Sequence, residues 1–275
     1  MLTRTTLRRV IAVLALIFSI TAAAQETYQL KLAETWGPNS PILGETTRNM
    51  AAMAEKMSAG RLQIRIDSSN KHKAPFGIFN MVRAGQYDMG HSASYYWKGK
   101  VPETLFFTSM PFGMNAMEQY AWFYHGGGME LMQEVYEPHN MLSFPGGNTG
   151  VQMGGWFRKE INSLEDLQGL KMRIPGFAGE VFAEVGVNPT NIAPGELYTA
   201  LERNTIDAVE WVGPALDLRL GFQQIAEDLC PQDVYDDCIM DVGLTCTIAP
   251  WIPSPYPTPF PTPACVPGKF KDAGY

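Results

Sequence analysis

Residues 28–66 carry the pattern that most constrains the fold. Residues 28–33 alternate apolar and polar side chains, as a half-buried strand does, and residues 62–66 repeat the alternation. Between them, Ser40 and Pro41 predict a helix start and Gly60 predicts its end. Four apolar residues are expected on one face of that helix: Leu43, Met50, Met53 and Met57. A strand, a helix and a second strand predict a right-handed crossover within a mainly parallel sheet.

A short pattern occurs twice in the chain. In each copy a residue that tolerates a left-handed helix end stands three positions before an aspartate and a buried strand: Gly85 before Asp88, and Asn204 before Asp207. The repeat predicts two similar α/β lobes, with chance as the alternative because such patterns are common in α/β proteins. The glycine-rich residues 145–150 lie between the copies and are the predicted crossover.

The amino-terminal residues 1–24 have the pattern of a secretory signal. Three arginines precede an apolar run over residues 10–20 and then three alanines, which predicts cleavage after Ala24. The run is shorter than the roughly 20 residues of a membrane-spanning helix. We therefore expect an exported, periplasmic protein. Its net charge of -7 and pI near 5.2 argue against nucleic acid as a partner.

The composition changes abruptly at residue 230. Every second residue from 253 to 261 is proline, which prevents helix formation and removes strand hydrogen-bond donors. All four cysteines of the chain lie in this last part: Cys230, Cys238, Cys246 and Cys265. They could form two disulfides in an exported protein. A change of reading frame explains the composition better, so residues 230–275 are predicted to be an aberrant tail.

Several kinds of chemistry lack their motifs. His125 and the three glycines after it are similar to the oxyanion loop of lipases, but this loop follows the serine-containing residues 90–94 instead of preceding them. Neither phosphate-binding glycine motif of nucleotide-binding proteins is present. The four histidines stand far apart, which argues against a histidine metal site.

Three groups of side chains are expected to meet at the carboxyl ends of the strands, where open α/β sheets bind ligands. They are residues 92–97, Arg173, and the pair Glu210 and Trp211. A buried arginine requires an anion, and its planar guanidinium suits a carboxylate. The alternative is a structural salt bridge to Glu210 or Glu180.

Glu210 raises a second requirement. Its carboxylate would repel a bound organic acid by several kcal/mol in a partly dry cleft. A cation between the two carboxylates would remove that repulsion, and hard cations take carboxylate, amide and main-chain oxygens. Gln152, just after the glycine-rich crossover, is a candidate amide ligand.

Seven short motifs, read in order, resemble the solute-binding proteins of tripartite ATP-independent periplasmic (TRAP) transporters, in particular their 2-oxo-acid-binding branch. The resemblance covers about residues 28–227. The motifs are AETW (33–36), YDMG (87–90), YYW (95–97), PFG (111–113), GNTGVQ (147–152), LKMRIPG (170–176) and EWVGP (210–214).

The resemblance implies an α/β fold of two lobes joined by a hinge, which close on a small organic acid such as pyruvate and deliver it to TRAP permease subunits. It implies that Arg173 grips the ligand carboxylate. Gln152, Glu210 and the main-chain carbonyl of Trp211 would bind sodium, with calcium as the alternative, and the ion would also touch the substrate. The remaining expected pocket residues are Tyr95, Tyr96, Trp36, Asn148 and Phe177.

The expected organisation is a signal over 1–24, lobe I over 25–147, a partial lobe II over 148–213, a connecting helix over 214–229 and the tail. Relatives continue past the point that matches residue 227, with helices that some exchange between dimer partners. We therefore expect an incomplete second lobe and no homodimer by this route. The competing function is a metal-dependent enzyme that acts on 2-oxo acids with Glu210 as its base.

Overall fold

The computed structural model describes residues 26–38, 40–226, 228–229 and 240–247. The predicted signal and most of the predicted tail lie outside these residues. The described chain forms two β-sheets with helices packed on them, which confirms the two-lobe α/β fold. Within the described residues, we find no helix of the length and apolarity needed to cross a membrane.

The first sheet has the strand order β2-β1-β3-β11-β4, and β5 also pairs with β11. The neighbours β1, β2 and β3 are parallel, as the opening pattern predicted, but β11 pairs antiparallel with β3, β4 and β5, so the sheet is mixed and the prediction of a mainly parallel sheet is wrong. The strands are β1 (Tyr28–Glu34), β2 (Leu62–Asp67), β3 (Met89–Ser92), β4 (Met110–Pro111), β5 (Phe144–Gln152) and β11 (Met240–Thr247).

The second sheet has the order β10-β6-β9-β7-β8. Strand β7 lies between two parallel neighbours, β8 and β9, just as β1 lies between β2 and β3. The strands are β6 (Trp156–Phe157), β7 (Lys171–Arg173), β8 (Asn188–Thr190), β9 (Ala208–Val209) and β10 (Asp228–Leu229).

The predicted repeat is confirmed in atomic detail. The Asp88 N–H donates to the Lys31 carbonyl at 3.0 Å, and the Lys31 N–H donates to the Asp88 carboxylate at 2.8 Å. Asp207 and Lys171 form the same reciprocal pair, at 2.7 and 2.9 Å. In both copies the residue three positions before the aspartate has positive φ, 68° and 57°. Each aspartate therefore aligns its strand with the parallel neighbour, β3 with β1 and β9 with β7.

Helices cover the faces of the two sheets. They are α1 (Leu43–Met57), α2 (Ser69–His72), α3 (Ile78–Arg83), α4 (Ala116–His125), α5 (Gly128–Tyr136), α6 (Gly176–Glu184), α7 (Leu197–Glu202) and α8 (Pro214–Asp217). Helix α1 starts two residues after the predicted proline. Its buried face includes Leu43 and Met50, but Met57 is 77% exposed, so the expected apolar face does not extend to the helix end.

Three local predictions differ from the structure. The sequence Asn191-Ile192-Ala193 predicts a strand, which is wrong, because the pairing with β7 occurs at Asn188–Thr190. The helix expected over 214–229 ends at Asp217, because Gly221 adopts a left-handed conformation (φ 81°) that separates two 3-10 turns. In the range assigned to the aberrant tail, Met240–Thr247 forms strand β11 of the first sheet.

The predicted crossover residues 145–150 lie within strand β5 of the first sheet. Strand β5 pairs with β11 as far as Gln152, and the next strand, beginning at Trp156, belongs to the second sheet. Gln152 therefore lies where the chain passes from one lobe to the other.

Candidate ligand-binding site

Arg173 is the centre of the site. It ends β7, which lies between the parallel strands β8 and β9 of the second sheet, and its side chain is completely buried. Its Nη1 donates to the main-chain oxygen of Glu210 at 2.5 Å and to the carboxylate Oε2 at 3.2 Å. The predicted salt-bridge alternative is thus present for Glu210, whereas Glu180 pairs with Lys98 instead. The guanidinium Nε is buried without a hydrogen-bond partner among the described residues, so the arginine keeps capacity for another acceptor.

Glu210 is a buried carboxyl with one unused oxygen. Its Oε1 has no hydrogen-bond partner in the described structure, and the side chain is only 2% exposed. Burial raises the pKa of Glu210 to about 8, because loss of hydration outweighs the opposing attraction of Arg173. A carboxyl in this state takes up a proton readily near neutral pH, and a positive ion could take that proton's place.

Tyr95 and Tyr96 reach the site from the first lobe. The Tyr96 hydroxyl lies 3.2 Å from Arg173 Nη2, and the two tyrosine rings meet edge to face with centroids 4.6 Å apart. Burial raises the pKa of both phenols, so both remain protonated and can donate hydrogen bonds. Gly176 adopts φ 70° directly against the Tyr95 ring.

Two tryptophans enclose the site from opposite lobes. The rings of Trp36 and Trp211 have centroids 6.2 Å apart, and Trp36 is equally close to Tyr96. The guanidinium carbon of Arg173 lies 5.1 Å from the centre of the Trp211 ring, which is within cation–π range. The arginine is therefore held between an aromatic face and a carboxyl in a site that excludes water.

The predicted cation ligands are neighbours. The amide nitrogen of Gln152 donates to the main-chain oxygen of Trp211 in a short hydrogen bond, and Glu210 directly precedes Trp211 in the chain. Within the described part of the chain, no cluster of three or more His, Cys, Asp or Glu side chains could hold a metal. The oxygens of the Glu210 carboxyl, the Gln152 amide and the Trp211 main chain are nonetheless of the kinds that sodium and calcium prefer. One of them, Glu210 Oε1, has no partner in the described structure, so this set of residues fits a hard cation.

Two expected pocket residues make other contacts. Asn148 donates from its amide to Gln119 at 2.9 Å and accepts from the Gly150 N–H at 2.7 Å. Phe177 packs against Phe106 of the other lobe, with ring centroids 5.3 Å apart. Asn148 supports strand β5, in which it lies, and Phe177 lies at a contact between the two lobes. Their proposed contact with a ligand stays a prediction.

His91 is a supporting residue that sequence reasoning missed. It lies in β3 in register with Glu34, and its Nδ1 accepts a 2.8 Å hydrogen bond from the Trp36 indole. The imidazole proton is therefore on Nε2, which is buried without a partner among the described residues. Full burial lowers the pKa of His91 to about 4. The sequence signal was only that a histidine stands at a predicted strand end.

This buried histidine predicts a loss of stability in acid. Because the unfolded chain takes up a proton near pH 6.5 and the folded one only near 4, acidification between these values favours unfolding. The full contribution is about 3 kcal/mol. We expect wild type to lose about that much more unfolding free energy than His91→Asn from pH 7 to pH 4, measured by urea denaturation. Equal losses in the two proteins would show that His91 does not titrate in this way.

Comparison with known proteins places the chain in a family of bacterial solute-binding proteins. Residues 32–240 match the model of a family described as bacterial extracellular solute-binding protein, family 7. A monocarboxylate 2-oxoacid-binding periplasmic protein of a Nostoc species is 47% identical over 178 residues, which cover 65% of this chain and 49% of that protein. The chain thus spans about half the length of the curated relatives that it matches.

Two crystal structures of TRAP periplasmic solute-binding proteins are similar to this fold. The protein from Pseudoalteromonas atlantica, with bound sodium and pyruvate, is 64% identical with a TM-score of 0.75. The protein from Colwellia psychrerythraea, with bound calcium and pyruvate, is 64% identical with a TM-score of 0.74. Each similarity covers 81% of this chain and 67% of the other.

Proposed function

Because the chain belongs to family 7 of the bacterial extracellular solute-binding proteins, we propose that it captures a small 2-oxo monocarboxylate such as pyruvate between its two lobes. The observation that carries the proposal is the environment of Arg173. Its guanidinium is fully buried between the lobes and keeps one unpartnered donor, Nε. The pyruvate-bound relatives support the choice of ligand.

The ligand carboxylate would bind to Arg173 side-on. Nε is unpartnered, and Nη2 is held only by the 3.2 Å contact with Tyr96, so these two nitrogens can present a bidentate pair. The Tyr96 hydroxyl, and that of Tyr95 beside it, could then donate to the ligand. Trp36 and Trp211 would exclude water, which strengthens each of these contacts.

A sodium or calcium ion would complete the site. Glu210, Gln152 and the Trp211 carbonyl are the residues that would hold it, after the Gln152 amide turns its oxygen toward the ion. Bound there, the cation would supply positive charge between the ligand and Glu210, whose carboxylates would otherwise repel each other.

Ligand binding would favour the closed arrangement of the lobes. Contacts between the lobes already converge on the site, from Tyr96 to Arg173, from Lys98 to Glu180 and between the two tryptophans. A ligand that touches both lobes only when they are closed shifts the population toward that state. We propose that this closed state delivers the acid to TRAP permease subunits in the periplasm, after export by the predicted signal over 1–24. The expected lobe I (25–147) and partial lobe II (148–213) remain part of this proposal.

The enzymatic alternative is disfavoured. A base at Glu210 would need an accompanying acid or nucleophile, and its carboxyl is instead engaged by Arg173. Membership of a solute-binding family also favours capture over turnover. Incubation with pyruvate and calcium, followed by analysis for products, distinguishes the two functions.

A thermal-melt panel of small carboxylates tests the proposal directly. With sodium or calcium present, pyruvate at one hundred times its Kd should stabilise the protein by about 2.7 kcal/mol, whereas acetate, which lacks the 2-oxo group, should act much more weakly. Lactate and branched 2-oxo acids define the specificity. If none of these acids raises the melting temperature with either cation, the proposed function is wrong.

A further inference from the structure

The loop after β9 is held by a buried acid that is not among the ligand or cation contacts described above. Asp217, in the first turn of α8, has no exposed surface. Its Oδ1 accepts from the main-chain N–H groups of Val212 at 3.2 Å and Gly213 at 3.0 Å, and its Oδ2 accepts from the Trp156 indole at 2.9 Å. The carboxylate is thus fully occupied by three donors.

One of these donors bears directly on the cation site. The Val212 N–H and the Trp211 carbonyl belong to the same peptide unit. A trans peptide is planar, so its N–H and its C=O point in opposite directions. By holding the N–H on one side, Asp217 aims the carbonyl at the other side, toward Gln152.

A second contact holds the facing segment in register. The Val212 carbonyl accepts a 3.0 Å hydrogen bond from the N–H of Met153, the residue directly after Gln152. The Val212 carbonyl and the Gly213 N–H belong to one peptide unit, and that N–H donates to Asp217. Asp217 therefore holds a peptide that is also hydrogen-bonded to the residue directly after β5. The two neutral oxygen donors of the proposed cation site depend on this short loop for their relative positions.

We propose that Asp217 is the positioning residue of the cation site, fixing the Trp211 carbonyl as a ligand by gripping the N–H of the same peptide unit. The inference rests on the proposed function, because it takes the Trp211 carbonyl to be a cation ligand. The role is geometric: what the site requires is an acceptor at this position, and the charge on Asp217 is secondary. Partners of this kind typically change metal affinity by about ten- to a hundredfold when removed.

The test is calorimetric titration of the full chain with calcium in sodium-free buffer, alone and with pyruvate at a fixed saturating concentration. Asp217→Ala removes the acceptor and should raise the calcium Kd about tenfold or more. Pyruvate affinity at saturating calcium should stay close to that of wild type. Asp166→Asn is the matched control, since Asp166 also accepts from two main-chain N–H groups, Asn162 and Ser163, but lies in an exposed turn.

A rescue pair separates geometry from charge and does not depend on the alanine variant folding. Asp217→Asn keeps one acceptor oxygen for the loop but turns its amide N–H₂ against the Trp156 indole donor. Combining it with Trp156→Phe removes that clash. The double variant should bind calcium as tightly as Trp156→Phe alone.

Two results would overturn the inference. One is weaker calcium binding by the double variant than by Trp156→Phe, which would indicate a long-range charge effect. The other is an Asp217→Ala protein with a lowered melting temperature but an unchanged calcium Kd, which would indicate a purely structural role. Wild-type protein that binds pyruvate without any dependence on sodium or calcium would instead contradict the cation part of the proposed function.

Discussion

Arg173→Ala should lose pyruvate binding almost entirely. Each charge-assisted hydrogen bond to a carboxylate contributes about 1.5–3 kcal/mol, so removal of a two-bond clamp should raise the pyruvate Kd at least about a hundredfold. Isothermal titration with pyruvate at saturating calcium measures the change. Arg173→Lys keeps the charge but not the planar fork, and we expect intermediate affinity.

The folded state should tolerate this substitution better than most breaks of a buried ion pair. Glu210 is left without its partner, but its pKa of about 8 allows it to remain protonated at neutral pH. Lys98→Ala is the matched control, because Lys98 also forms an ion pair, in this case with Glu180 of the other lobe, but is 38% exposed. Exposed pairs contribute about 0–1 kcal/mol, so this variant should bind normally. Near-normal pyruvate affinity in Arg173→Ala would refute the clamp.

In Glu210→Gln, pyruvate binding should no longer depend on the cation. The substitution preserves shape but removes the charged ligand, so calcium affinity should fall about a hundredfold. Without the repulsive carboxylate, pyruvate binding should become nearly independent of calcium. Pyruvate titrations across a calcium series, for wild type and variant, measure both effects.

The same substitution should also destabilise the protein alone above about pH 8, where wild-type Glu210 is ionised. Arg173 cannot lose its proton, so above that pH its charge stays buried without the carboxylate that pairs with it in wild type, and breaking a buried pair from this side costs about 3–5 kcal/mol. A bound pyruvate restores an anion, so pyruvate should raise the melting temperature of Glu210→Gln more than that of wild type. Glu180→Gln, an exposed acid of the same lobe, is the control that should change neither property. Unchanged calcium dependence in Glu210→Gln would remove Glu210 from the cation site.

The asymmetry between these two variants has a physical cause. A buried glutamic acid can become neutral when its partner is lost, whereas an arginine remains charged. The second sheet therefore carries a permanent positive charge at the carboxyl end of β7, with a counter-charge that a proton can cancel. The Arg173 guanidinium is always charged, whereas the Glu210 carboxyl beside it can gain or lose a proton. This combination suits reversible capture of an acid.

The repeat shows how far local pattern reaches. The predicted spacing of Gly85 to Asp88 and Asn204 to Asp207 reflects a left-handed turn followed by an aspartate that bonds back to the neighbouring strand. Both requirements are local, so they leave a readable trace in the chain. The short strands of the second sheet leave a weaker trace, which explains why a strand was misplaced near residue 190.

The proposed site, too, was only partly predictable from the sequence. The sequence indicated that Arg173 and Glu210 were unusual, because a charged residue in a strand suited to burial calls for a counter-ion. It left open whether that counter-ion was a ligand or Glu210, and the structure shows the ion pair beside an unpartnered donor. No sequence signal of comparable strength indicated that Asp217 accepts hydrogen bonds from the loop or that His91 accepts one from Trp36.

By itself, the amino-acid sequence determined the α/β class, the two-lobe repeat and the residues that we propose to bind an acid and a cation. These follow from alternation, turn chemistry and side-chain type, which act over a few residues. Only the tertiary structure decided which oxygens and nitrogens face each other, where the crossover ends and which buried groups orient the site. Those depend on the packing of strands distant in the chain, and the direction of a peptide carbonyl or of a guanidinium is set by that packing.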